Sequence, residues 1–249
     1  MLLAFVTTRI EFFRKLIVKE NTNWKDKIIL SIIFGIYGII GTYTGIPIKG
    51  AIANGRVIGV FIGGLLGGPF VGLMSGLIAG GHRYLIDIGG FTAFSCGFST
   101  FTEGIIGGLL KKRIDKSENK WAFALISGMV AEIWQMIIIL SFSRPLSAAW
   151  GLVKIIGLPM IIANGIGIAV CMSIIYGVSK DVETAEALQA QLALKIANKT
   201  LIFFRKGLNE ETSYEVAKII RDMTKFDAIA LTDKDKILTH VGIGEDHHL

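Results

Sequence analysis

In a mostly apolar sequence, the residues equipped for chemistry gather in a few places. Asn54 and Arg56 form one group, and His82, Arg83 and Asp87 form a second. Thr92, Cys96, Ser99 and Glu103 step at i, i+4, i+7 and i+11, which puts them on one face of a helix. Two arginines beside small hydrogen-bonding side chains suit a small carboxylate, because guanidinium offers it a planar fork of donors. Asn54 and Thr92 would support such a site. The plainer alternative stays open: Arg56 and Arg83 snorkel toward lipid headgroups, while Cys96 and Ser99 are small packing residues.

Glu132 and Gln135 are a second polar intrusion, either an interhelical hydrogen-bonded pair or part of a relay. Asn164 is expected to answer carbonyls freed near Pro159. His82 reads as a packing or interfacial histidine, since no partner has metal-ligand spacing. The two cysteines, Cys96 and Cys171, are far apart and form neither a disulfide framework nor a CxxC site. Neither a P-loop, a GxSxG elbow nor a kinase nucleotide-binding signature is present. No catalytic residue, metal site or cofactor is therefore expected within this chain.

The elements that position these residues are set by composition. Hydrophobic residues make up 52% of the 249 and charged residues 18%, against about 25% charge in soluble proteins. The deficit is local: charge is sparse over 28–177, whereas residues from Lys180 onward read like ordinary soluble protein. A spanning helix needs ~20 mostly apolar residues, and 28–47, 91–110, 121–142 and 152–177 qualify. Between the first two, Gly67-Gly68-Pro69 splits a glycine-rich stretch into two short helices, 57–66 and 70–82. Charge favours two helices over one kinked helix. Arg14, Lys15, Lys19, Lys25 and Lys27 precede the first span, and Lys111, Lys112, Arg113, Lys116 and Lys120 follow the fourth. Putting both clusters in the cytoplasm requires an even number of passes between them. The 47–56, Arg83 and 143–151 loops then lie outside and the C-terminal segment inside.

Gly72, Gly76 and Gly80 repeat every four residues, as do Gly104 and Gly108. Such stripes let helix backbones approach closely. The net charge of +6 comes from basic residues beside apolar stretches, an anchoring pattern, so nucleic-acid binding is not expected. The first fifteen residues lack a cleavage signal and look like a short or partial membrane helix. Beyond Lys180, residues 181–204 read as a connecting helix that pairs with a second copy. Residues 210–224 read as an amphipathic helix, and 226–231 and 237–241 as two strands. His247 and His248 resemble a tag, although only two are present and the stretch GIGEDHHL can be native.

The fold class expected is an all-α polytopic membrane bundle of about six helices, two of them short, plus a partial N-terminal one. A connecting helix and an incomplete α+β domain follow.

The motifs Asn54-Gly55-Arg56-Val57, Gly67-Gly68-Pro69-Phe70-Val71-Gly72-Leu73, Gly81-His82-Arg83, Leu158-Pro159-Met160-Ile161-Ile162 and Met172-Ser173-Ile174-Ile175 closely resemble the LytS-type membrane domain of bacterial sensor histidine kinases. The resemblance continues through Phe204-Arg205-Lys206-Gly207-Leu208-Asn209 and 237–248, which look like the family's connecting helix and the start of its GAF domain. It implies a sensor domain at 1–178, a signalling helix at 179–208 and the beginning of a GAF domain at 209–249. It also implies a homodimer in the bacterial cytoplasmic membrane. A kinase domain of a longer parent protein would use ATP and phosphorylate a LytTR-type response regulator, in autolysis control or carboxylate uptake. In the family's pyruvate-sensing branch two arginines, a cysteine and a serine bind ligand. By resemblance those roles fall to Arg56, Arg83, Cys96 and Ser99. Two alternatives remain at this stage, a transporter subunit of the vitamin-uptake type and the sensor of a membrane diguanylate cyclase.

Overall fold

A computed structural model describes residues 11–18 and 23–244 of the chain. The chain divides into two compact units, residues 1–180 and 181–249.

The first unit is a helical bundle. Its helices are α1 (Glu11–Val18), α2 (Trp24–Tyr43), α3 (Arg56–Gly67), α4 (Pro69–Leu85), α5 (Ala93–Asp115), α6 (Lys120–Phe142) and the membrane part of α7 (Leu146–Phe204). Asn23 caps α2 in a reciprocal box with Asp26. The split at Gly67-Gly68-Pro69 is present: α3 ends at Gly67, Gly68 adopts φ +84°, and Pro69 opens α4. Only glycine takes that dihedral without strain, and proline is preorganised for a first helical turn.

Three helices among the described residues are long and apolar enough to cross a membrane: α2, α6 and α7. The helix α5, expected as a further clear span, has sufficient length but falls short in apolarity. Its buried face carries Ser95, Ser99, Thr100, Glu103 and four glycines, so it is lined by protein rather than lipid. The first span also differs: instead of reaching residue 47 it ends at Tyr43 and gives way to β1 (Ile46–Ile48) and β2 (Ala51–Ala53). These pair antiparallel around Lys49 and Gly50, both with positive φ, a two-residue primed turn. The unit is therefore not purely α-helical.

The glycine stripes act in packing. A Cβ on Gly72 would collide with the Gly104 carbonyl, one on Gly80 with that of Gly97, and one on Gly108 with the Pro69 backbone. The α4 and α5 backbones lie against each other, and α3 meets α5 at Gly64. Apolar residues Phe34, Val57, Phe61, Leu65, Val71, Ile168 and Met172 fill the main core.

No break separates the expected last span from the expected connecting helix. Both lie in α7, 59 residues with Pro159 inside, because nothing between Gly177 and Asp181 stops a helix.

In the second unit α8 (Glu210–Thr224) starts on an Asn209–Thr212 capping box and ends at Lys225 in the left-handed region. It packs on the hairpin β3 (Ala228–Thr232) and β4 (Ile237–Gly242), with Val216, Ala217 and Val241 buried. In the hairpin turn the Asp233 carboxylate accepts the amides of Asp235 at 2.8 Å and Lys236 at 3.0 Å. These bonds hold it below the usual aspartate range. The expected N-terminal membrane helix lies largely outside the described residues, as do His247 and His248.

Candidate functional site

Helix α5 is the platform. Its buried face presents Thr92 at the N-cap, then Cys96, Ser99, Thr100 and Glu103. The Cys96 carbonyl is a hub, accepting Thr100 Oγ1 at 2.8 Å and Ser99 Oγ at 3.1 Å. The Cys96 side chain itself joins an apolar cluster with Met136, Ile139 and Leu152.

Arg56 is the first residue of α3 and is 1% exposed. Its Nε donates to Thr100 Oγ1 at 2.6 Å, Nη1 to Thr42 Oγ1 at 3.3 Å and Nη2 to the Cys96 carbonyl at 3.5 Å. Among the described residues no carboxylate forms an ion pair with it, although the charges of Glu103, Glu132 and Arg83 all act on it. Asn54 sets its approach: the side-chain oxygen accepts the Arg56 amide at 3.0 Å, and Nδ2 donates to the Ile52 carbonyl at 2.6 Å. The β1–β2 hairpin thereby delivers the arginine into the bundle.

Arg83 was expected in a loop. It sits in the last turn of α4 and is fully buried, because α4 continues to Leu85. Its Nη1 and Nη2 both donate to Asp87 Oδ2, at 3.1 and 3.0 Å, and Nη2 also reaches Thr92 Oγ1 at 3.2 Å. His82 lies at the helix end, 3.2 Å from the Tyr43 hydroxyl.

The two arginines thus meet the same face of α5. Their hydroxyl anchors, Thr92 and Thr100, stand eight residues apart, about 12 Å along a helix. Cys96 and Ser99 lie in that interval. Both side chains are enclosed by protein, Arg56 at 1% and Arg83 at 0% exposure. A guanidinium is a planar fork of donors that suits an anion, and the buried Arg56 has no carboxylate partner among the described residues.

Two residues escaped the sequence reading. Thr100 makes the shortest bond to Arg56, and Thr42 a second. Thr100 follows Cys96 by one helical turn, so a strict tally of period would have found it beside Ser99.

In the second polar group Glu132 makes an interhelical bond, as expected, with Asn164 of α7 as its partner. Glu132 bonds to Asn164 Nδ2 at 2.5 Å, and no Glu132–Gln135 bond occurs. Asn164 Nδ2 also donates to the Asn54 carbonyl at 3.0 Å. Asn164 therefore serves β2–α3 and α6 rather than carbonyls near Pro159; its amide reaches across the bundle instead of along its own helix.

Comparison with known proteins bears on this arrangement. The membrane-domain family described as the 5TMR of 5TMR-LYT matches residues 10–177. The sensor protein LytS of Bacillus subtilis (strain 168) is 43% identical, the match covering all of this chain and 44% of that protein. The sensor histidine kinase YpdA of Escherichia coli (strain K12) is 37% identical, over all of this chain and 43% of that protein. The sensor histidine kinase/phosphatase LytS of Staphylococcus aureus (strain N315) is 37% identical, with 100% and 45% covered. The chain thus spans less than half the length of these relatives. No solved structure matches it.

Proposed function

The chain belongs to the LytS-type family of membrane sensor domains, and we propose that it is the input module of a two-component sensor histidine kinase whose buried arginines receive a small external carboxylate of the pyruvate type. The observation that carries this is Arg56, a fully buried cation whose donors are held by Thr100, Thr42 and a carbonyl but by no carboxylate among the described residues. Arg83, Cys96 and Ser99 complete the receptor, with Thr92 orienting Arg83.

The names of the relatives support a kinase output over a transporter subunit or a diguanylate cyclase. On that reading the module works as a homodimer in the bacterial cytoplasmic membrane, with a cytoplasmic C-terminus, and residues 209–249 begin a GAF domain. Ligand binding biases the bundle only through its differential affinity for two states. Those states set autophosphorylation, with ATP in a kinase domain, and transfer to a LytTR-type response regulator governing autolysis or carboxylate uptake.

Calorimetric titration of pyruvate into the purified protein tests the reading. Arg56→Lys and Arg83→Lys keep the charge and lose the fork. A charge-assisted hydrogen bond is worth roughly 1.5–3 kcal/mol, so each should weaken binding about tenfold to a hundredfold. Equal affinity in all three proteins, or no binding of any short 2-oxo acid by the parent, would remove the carboxylate receptor.

A further inference from the structure

Two buried carboxylates stand beside this receptor without a role in it. Glu103 on α5 is fully buried, and neither of its oxygens has a hydrogen-bond partner among the described residues. Glu132 on α6 is also fully buried; Asn164 serves its Oε1, and its Oε2 has no partner among those residues. The charge of Glu132 acts on Glu103, and that of Arg56 acts on both carboxylates. Their helices are pinned together at that level, since Trp134 Nε1 donates to Thr102 Oγ1 at 2.9 Å, one residue from Glu103 and two from Glu132. Three acceptor oxygens thus lie without a partner among the described residues, in a protein interior where a lone acceptor is costly.

The charges that reach this place come from several elements. α3 supplies Arg56, α4 the more distant Arg83, α5 Glu103, and α6 Glu132, with the neutral Cys96 side chain on the same face of α5. α7 contributes the neutral Asn164, and α2 the neutral Thr42. Both ionised, the two carboxylates would exceed the single positive charge of Arg56, with which neither pairs directly, by one. Arg83 does not offset it, being committed to Asp87.

We propose that Glu103 and Glu132, with Asn164 orienting the latter, form a binding site for one small monovalent cation, either a proton shared between the carboxyls or an alkali metal ion. A proton would bridge the two groups as a single O–H···O bond; a sodium-sized ion would draw on the same oxygens. Either one neutralises the pair together with Arg56. The site makes the bundle responsive to cation supply independently of any organic acid.

The test uses the whole chain in lipid nanodiscs without added carboxylate, so its outcome does not depend on the pyruvate reading. Infrared difference spectra across a pH series report the carbonyl band of a protonated buried carboxyl. Melting temperatures at constant ionic strength compare sodium chloride with choline chloride. The expected result is a titrating carboxyl band, or a sodium-dependent rise of about 2–4 °C in Tm, lost in both Glu103→Gln and Glu132→Gln. A titrating band identifies the proton, and a sodium effect identifies the metal ion. Should a glutamine variant fail to fold, Glu103→Asp keeps the charge and should move the midpoint by about threefold or more, roughly 0.6 kcal/mol. Absence of both responses in the parent overturns the site. So do responses that persist in the glutamine variants, or an unmoved midpoint in Glu103→Asp.

Discussion

Arg56 Nε lies 2.6 Å from Thr100 Oγ1, joining the first turn of α3 to the middle of α5 across 44 residues of sequence. The same hydroxyl donates to the Cys96 carbonyl at 2.8 Å. Thr100 therefore both receives from the guanidinium and ties it to the platform, which fixes the plane of the fork. Such preorganisation lowers the ordering cost of binding.

Replacing Thr100 by valine keeps the shape and removes the hydroxyl. The buried Nε is then left without its acceptor, a loss of about 1–3 kcal/mol. Thermal unfolding should show that destabilisation, and pyruvate titration should show weaker binding as the guanidinium swings free. Unchanged affinity with reduced stability would assign Thr100 to packing alone.

Asp87 occupies the Arg83 fork as a ligand carboxylate would, with its own side chain 38% exposed. Asp87→Asn should release that fork and raise carboxylate affinity, by up to about tenfold, or 1.4 kcal/mol. A fall in affinity would mean instead that Asp87 holds Arg83 in its binding pose.

Two glycines on α4 should respond with opposite signs. Gly72→Ala drives a methyl into the Gly104 carbonyl, whereas the same change at Gly81 meets nothing within 4 Å. The first should destabilise by about 1–3 kcal/mol or more, and the second stabilise by about 0.5–1 kcal/mol, the usual helical gain over glycine. Thermal scans of the two variants beside the parent check both.

The β3–β4 turn should loosen in acid. Asp233 is depressed in the folded state by the amides of Asp235 and Lys236. Its contribution is therefore present above the unfolded value, about 3.9, and is lost as pH falls through the lower folded one. The protection of the Asp235 and Lys236 amides, their exchange divided by the intrinsic rate at each pH, should fall below about pH 4 in the parent. Asp233→Ala should show low protection there at every pH; protection that does not change with pH in the parent would remove Asp233 from the turn's stability.

Labelling can place the loops. In a Cys96→Ser, Cys171→Ser background, Lys49→Cys at the exposed β1–β2 turn should react with an impermeant thiol reagent from outside, and Lys116→Cys should not. External reaction at residue 116 would reverse the charge-based orientation.

Much of this arrangement was written in local chemistry. Gly67-Gly68-Pro69 marked the α3–α4 break because a positive φ and a proline first turn are both local demands. The polar face of α5 followed from helical period. What stayed hidden depended on partners far away. Asn164 meets Asn54 across 110 residues, and nothing in its neighbourhood points there. Strands of three residues around Lys49-Gly50 carry too short an alternation to register, and the turn lacks the usual Asn-Gly. The burial of Arg83 turned on one further helical turn in α4, a boundary that no cap residue announces.

The brevity of α3 has a mechanical corollary. Twelve residues reach about 18 Å, whereas bilayer hydrocarbon is about 30 Å deep. Nine of those residues are buried in the bundle, so α3 is anchored by protein while α2 and α6 expose isoleucines such as Ile32, Ile36, Ile126 and Ile133. A change in acyl-chain length is then felt by the outer helices and not by α3, and the mismatch concentrates at the Gly68 joint. Because α3 begins at Arg56, bilayer thickness becomes a lever on the proposed carboxylate receptor: short-chain and long-chain lipids should give measurably different pyruvate affinities.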